Sequence, residues 1–252
     1  MIIDHPKNDA LPALRALWRE AFGDTDAFIS AFFDTAFHRD RCLCLYDGDD
    51  LASALYWLDC TVGDERLAYL YAIATAERHR GRGLCHRLMD ETHRRLADLG
   101  YTGAVLVPGS ETLFRFYGRM GYRICGHVHP IHCVAKPVPL TLRRIGREEY
   151  ALRRAALLPK DGVVQENESL AFLASYATLY TGEGVLLAAY ADEETLCGIE
   201  LLGDPTLAPA ITSALGFAQG TFRTPGGNTP FAMHLPLTDG ARTPTYFGLA
   251  FD

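Results

Sequence analysis

The sequence predicts an α/β fold: a mixed, twisted sheet flanked by helices, followed by a second, smaller domain of related but degenerate pattern. Three observations predict it. Apolar strand-like runs alternate with helical patterns along the chain. Between Leu67 and Leu96 a strand pattern, a glycine-bearing turn and a helix pattern follow one another without a gap. Lys136-Pro137-Val138-Pro139 then breaks the pattern, because each proline removes a donor and stiffens the chain. The break divides residues 1–136 from residues 137–252.

The elements follow in order. Ile2-Ile3 makes a very short first strand. Leu11, Leu14, Leu17, Trp18 and Phe22 recur at three- and four-residue spacing, so residues 9–21 read as a helix that Gly23 ends. Phe28, Ile29, Phe32, Phe33 and Phe37 mark a second amphipathic helix, whose aromatic stripe is read as core packing rather than as a pocket wall. Residues 42–46 and 51–58 form a hairpin around Asp47-Gly48-Asp49-Asp50. Residues 66–74 form the next strand. Leu84, Leu88, Thr92 and Leu96 share one helical face, and Gly100 suits its C-terminal cap. A buried-type strand at residues 104–107, a short helix at 111–119 and a strand from Arg123 through Val128 complete the first half. Trp18 and Trp57 are read as core.

The second half repeats this order faintly, at an offset of about 140 residues. Residues 148–158 and 169–180 match the two first helices. Residues 185–190 and 195–202 match the hairpin, residues 208–219 read as a helix, and residues 231–236 match the strand at 104–108.

Composition narrows the function classes. A hydrophobic share of 48% supplies a sizeable core, and a formal net charge of −7 argues against general nucleic-acid binding. The 7 cysteines lack a paired framework or zinc-finger spacing, which fits a reduced, cytoplasmic protein. No apolar run approaches the roughly 18 residues that span a bilayer, so no membrane partner is expected. His127, His129 and His132 lie on a strand without a carboxylate or cysteine partner at fixed spacing, so no metal site is expected.

The chemistry concentrates at Arg78-His79-Arg80-Gly81-Arg82-Gly83-Leu84. The first backbone N–H groups of a helix have no internal partner and carry the positive end of its dipole. Glycines let an anion approach the backbone. The loop therefore reads as a cradle for a phosphate or pyrophosphate.

Two motifs resemble those of the GCN5-related N-acetyltransferase (GNAT) superfamily. One is Arg78-x-x-Gly81-x-Gly83 between an apolar strand and an amphipathic helix. The other is the helix-turn-strand element from Leu113 to Tyr122, with Tyr117 followed by Gly121-Tyr122. The resemblance covers about residues 11–135. It implies a fold in which the cradle strand splays from its neighbour, and an acetyl-CoA co-substrate. Its pyrophosphate would sit on the amides of Arg80 to Leu84, with charge from Arg78, Arg80 and Arg82. The pantetheine arm would meet Ile73 and Thr75, and Tyr117 would donate a proton to the leaving thiolate. Ser110 stands where the family often carries Asn, and Glu77 where it often carries Pro. The cradle strand offers no carboxylate as general base, only Tyr69 and Tyr71, which are read as packing residues. Asp59, Glu65 and Glu111 lie nearby in sequence.

The resemblance implies acetyl transfer to a primary amine of a small molecule or peptide. It makes the second half a degenerate acetyltransferase-like domain that shapes the acceptor cleft without binding cofactor. The alternatives are a non-catalytic acyl-CoA-binding or sensing module, and a protein-interaction scaffold.

Overall fold

The computed structural model describes residues 1–251. The elements are β1 (Ile2–Asp4), α1 (Leu11–Phe22), α2 (Asp26–Thr35), β2 (Cys42–Asp47), β3 (Asp50–Val62), β4 (Glu65–Thr75), α3 (Leu84–Asp98), β5 (Gly103–Leu106), α4 (Glu111–Arg119) and β6 (Arg123–Val134). After the proline break come β7 (Leu142–Arg144), α5 (Arg147–Leu157), β8 (Val164–Gln165), α6 (Asn167–Tyr176), β9 (Thr178–Gly182), β10 (Val185–Asp192), β11 (Thr195–Gly203), α7 (Ala208–Ala214), β12 (Gln219–Pro225) and β13 (Thr229–Pro236).

The strands form one mixed sheet in the order β1-β2-β3-β4-β5-β13-β6-β12-β11-β10-β9-β7, with β8 paired to β3 off this path. The order has the same logic from either end. β4 and β5 are parallel, as are β11 and β12, while the ladders flanking β13 and β6 are antiparallel. At the centre the halves exchange strands. β13, last in sequence, lies between β5 and β6, and β6 pairs on its other side with β12. By this topology β9 and β10 correspond to β2 and β3. The sequence pattern instead matches β10 and β11 to that hairpin, one strand along from the topological counterpart, and matches β13 to β5, which is its antiparallel neighbour. Apolar alternation is alike in all these strands, so it carries no register between repeats.

The two sheet faces carry different layers. Alternate residues of β2 to β5 and of β9 to β11 pack with α1, α2, α5, α6 and the C-terminal segment in one continuous cluster. Phe28 and Phe32 of α2 meet Phe172 of α6 at ring distances of 5.1 and 5.4 Å, which ties the two helix pairs together. The opposite face packs α3 and α4 over the first half and α7 over the second.

The C-terminal segment returns across the first of these faces. A fully buried ionic group anchors it. Glu200 of β11 takes Arg154 Nε at 2.7 Å and Nη2 at 3.0 Å, and accepts from the Tyr150 and Tyr246 hydroxyls at 3.1 Å. A Cβ on Gly248 would stand 1.8 Å from Glu200 Oε1, so only glycine passes here. Beyond it, the Phe251 carbonyl accepts from Tyr71 of β4 at 2.8 Å.

Candidate active site

The site begins where β4 ends. A single 3-10 turn (Glu77–His79) leads to Gly81 at φ 76° and Gly83 at φ 70°, and α3 starts at Leu84. Open space surrounds both glycines, so backbone conformation rather than crowding selects them. No side chain caps α3, so the amides of its first turn lack intrahelical partners.

The loop's cations are largely committed to the tip of the β2–β3 hairpin. Arg78 grips Asp50 with Nε at 3.0 Å and also through Nη2, and Arg82 Nη2 donates to Asp47 at 2.9 Å. His79, 8% exposed, lies between them, with Nε2 2.7 Å from Asp50 and Nδ1 2.8 Å from Arg82 Nη1. A guanidinium can only donate, so Nδ1 accepts and Nε2 carries the hydrogen toward Asp50. The Arg78 bonds, and then the His79 bond, hold the Asp50 carboxyl down to about 2. Arg80 Nε donates instead to the Thr75 carbonyl at 3.1 Å. The acidic hairpin thus pins the cradle and offsets much of its charge.

Upstream of the loop, β4 parts from β5. Their ladder runs only from Leu67–Gly103 to Tyr69–Val105. Against β3, Tyr71 pairs with Tyr56 and Ala74 with Ala54, so Ala72 and Ile73 together oppose Leu55. This is a β-bulge, and Ala72 adopts φ 47°, a left-handed conformation that L residues rarely take. The bulge turns β4 away from β5 and opens a cleft of about 580 Å³.

Ile73, Ser110 and Tyr117 line this cleft together. Ser110 caps α4, its Oγ accepting from the Leu113 amide at 3.3 Å. Tyr117 is 7% exposed, and burial, with the nearby Cys85, pushes its hydroxyl well above the ordinary phenol range. Thr75 and the loop from Arg80 to Leu84 lie beyond the cleft at the end of β4. Thr75 Oγ1 sits 2.9 Å from Ser53 Oγ, and Leu84 is buried. Arg78 borders a separate groove of about 440 Å³ with Lys7, Glu20 and Asp49.

Other residues of the cleft were not legible as such. Trp18 and Phe22 of α1 line it, so Phe22, expected on the buried face of α1, is 46% exposed. Asp24 lines it and accepts from Trp18 Nε1 at 2.7 Å. Phe231 of β13 and Phe251 arrive from the far end of the chain. The carboxylates weighed from sequence lie elsewhere: Asp59 pairs with Arg41 at 3.0 Å, Glu65 accepts from the Arg242 amide at 2.9 Å, and Glu111 opens α4.

Known proteins resemble this chain in sequence over its first half and in fold over most of its length. Residues 3–125 match the family described as acetyltransferase (GNAT) domain. Among solved structures, a GCN5-related N-acetyltransferase from Kribbella flavida is 17% identical, with 92% of this chain and 70% of that one covered at a TM-score of 0.68. A conserved protein of unknown function from Enterococcus faecalis V583 is 16% identical, with 94% and 72% covered and a TM-score of 0.70. Eis1 from Mycobacterium abscessus is 14% identical, with 94% and 74% covered at 0.67. At these identities the likeness is one of fold, and it extends through both halves of the chain. A search of the curated proteins finds no match. Among the described residues no helix is long and apolar enough to cross a membrane.

Proposed function

We propose, from the premise that residues 3–125 are a GNAT acetyltransferase domain, that the protein transfers an acetyl group from acetyl-CoA directly to a primary amine. The observation that carries the reading is the parting of β4 from β5 beyond Tyr69–Val105, which leaves a cleft lined by Ile73 and the buried Tyr117, with the pinned amide cradle beyond it at the end of the same strand. Acetyl-CoA supplies the thioester.

The amides from Gly81 to Leu84 hold its pyrophosphate, with Arg80 beside them. Arg78 and Arg82 fix the loop more than they charge it, because Asp50 and Asp47 already pair with them. The free edge of β4 at Ile73 receives the pantetheine arm. A backbone N–H at the bulge polarises the thioester carbonyl, as an oxyanion-hole donor does. Tyr117 gives its proton to the departing sulfur as the acceptor nitrogen bonds to the acyl carbon. It regains that proton from the nitrogen, so the products are an amide and a thiol.

Two measurements test this. Acetyl-CoA at millimolar concentration raises the melting temperature, because a ligand that binds only the native state stabilises it. Amine-dependent release of free thiol follows. An unmoved melting temperature ends the cofactor reading. Binding without amine-dependent thiol points instead to a sensing module.

A further inference from the structure

The acceptor side of the cleft is walled by rings from distant parts of the chain: Trp18 and Phe22 from α1, Tyr71 from β4, Phe231 from β13, and Phe251. Asp24 is the single carboxylate among its described lining residues, which include no lysine or arginine. Helix α1 ends at Gly23, whose left-handed backbone at φ 73° turns the chain and carries Asp24 to the cleft. The bond from Trp18 Nε1 fixes one carboxylate oxygen, and no basic side chain among the described residues pairs with Asp24.

We infer that the acceptor is an amine with one ionisable nitrogen on an apolar, ring-bearing body, an arylalkylamine, and that Asp24 is the counter-ion of the entering ammonium. The inference rests on the acetyl-transfer reading and names the substrate class of that same site. The rings take up the apolar body by removing its surface from water. Their faces attract a cation electrostatically. One carboxylate matches one ammonium. A polyamine or aminoglycoside would bring further ammonium groups into a wall that offers them no partner, and unpaired charges out of water are costly. Before attack the ammonium gives one proton to solvent water at the open mouth of the cleft; loss of water against the rings promotes that step, the Asp24 carboxylate opposes it, and the neutral nitrogen then attacks.

The test uses the full chain with saturating acetyl-CoA and free-thiol detection, with 2-phenylethylamine, spermidine and kanamycin as acceptors. The kcat/KM for 2-phenylethylamine exceeds that for either polycation by about tenfold or more. Asp24→Asn keeps an oxygen to accept from Trp18, so the fold is undisturbed. It raises KM for 2-phenylethylamine by about tenfold, leaves kcat within about twofold, and leaves the acetyl-CoA dissociation constant unchanged. Preference for a polycation, an unchanged KM in the variant, or no turnover of 2-phenylethylamine by protein that acetylates another of the amines each overturns the inference. Failure to bind acetyl-CoA, or binding with no thiol release from any of the three amines, removes the acetyl-transfer reading first, so the two failures are told apart.

Discussion

Tyr117 combines burial with a place in the cleft wall, and each has a consequence. Burial favours the neutral phenol, so the group keeps its proton across the working range, and in the proposed transfer it can act as a donor rather than a base. Tyr117→Phe lowers kcat by about 10²- to 10⁴-fold, and acetyl-CoA still raises the melting temperature as in the parent. A variant that keeps full turnover assigns the donor elsewhere. Two buried histidines make the fold sensitive to mild acid. Burial lowers His93 and His234 to about 4 each, below an ordinary value of about 6.5. In the unfolded chain they take up protons below that ordinary value, while the folded chain resists until about 4. Stability therefore falls as pH drops from about 6.5 toward 4. Urea midpoints measured across that window fall in wild type, and fall less when His234 is replaced by Gln.

At the scale of elements, the strand, loop and helix of the cradle were legible in the sequence because their signals are local. Glycines at fixed spacing precede one apolar helical face, and the expected residues Leu84, Leu88, Thr92 and Leu96 are all buried. What the arginines do was not legible. Their partners Asp47 and Asp50 lie in a hairpin about 30 residues earlier, and no local pattern links a basic loop to an acidic turn. The bulge at Ala72 was hidden too, since alanine gives no sign of positive φ. The pairing predicts unequal effects on acetyl-CoA. Gly83→Val forces a β-branched residue to φ 70° and disturbs the free amides, so the dissociation constant rises about tenfold or more. Arg78→Ala removes a charge that Asp50 already offsets, and raises it about two- to threefold. Titration calorimetry on both variants checks this, and the reverse order would make Arg78 a direct phosphate ligand. The counterpart turn after β11 has no glycine pair. It passes through Pro205 into a seven-residue helix with Pro209 in its first turn, and the Phe222 ring packs against Gly198 and Gly220 where β11 and β12 meet. The same titration therefore gives one acetyl-CoA per chain.

At the scale of the whole molecule, the exchanged strands decide how the chain folds. Strand β6 belongs by sequence to the first half, yet its two neighbours, β13 and β12, are both formed after residue 218. Cut after residue 136, the first half would present both edges of β6 and the free edge of β5 to solvent, a ready template for aggregation. The second half would lose the partner of β12 and leave β13 unpaired. The cleft would lose Phe231 and Phe251, and the buried Arg154–Glu200 pair would anchor a C-terminal segment with no β4 to dock against. None of this could be read from the proline break at 136–139, because a linker signal reports local stiffness and not which strands pair across it. The full chain therefore melts in one transition, with acetyl-CoA raising it as a unit. Residues 1–136 and 137–252 expressed separately give no cooperative transition, and co-expressed they associate and recover both the transition and thiol release. Glu200→Gln leaves the buried Arg154 without its counter-charge and lowers the same single transition, by about 3–5 kcal/mol if the full cost of an unpaired buried charge is met. Calorimetry on the four proteins decides the matter. A separate first half that melts cooperatively at the temperature of the intact chain, and binds acetyl-CoA, would show that the exchanged strands do not hold the two halves to one folding unit.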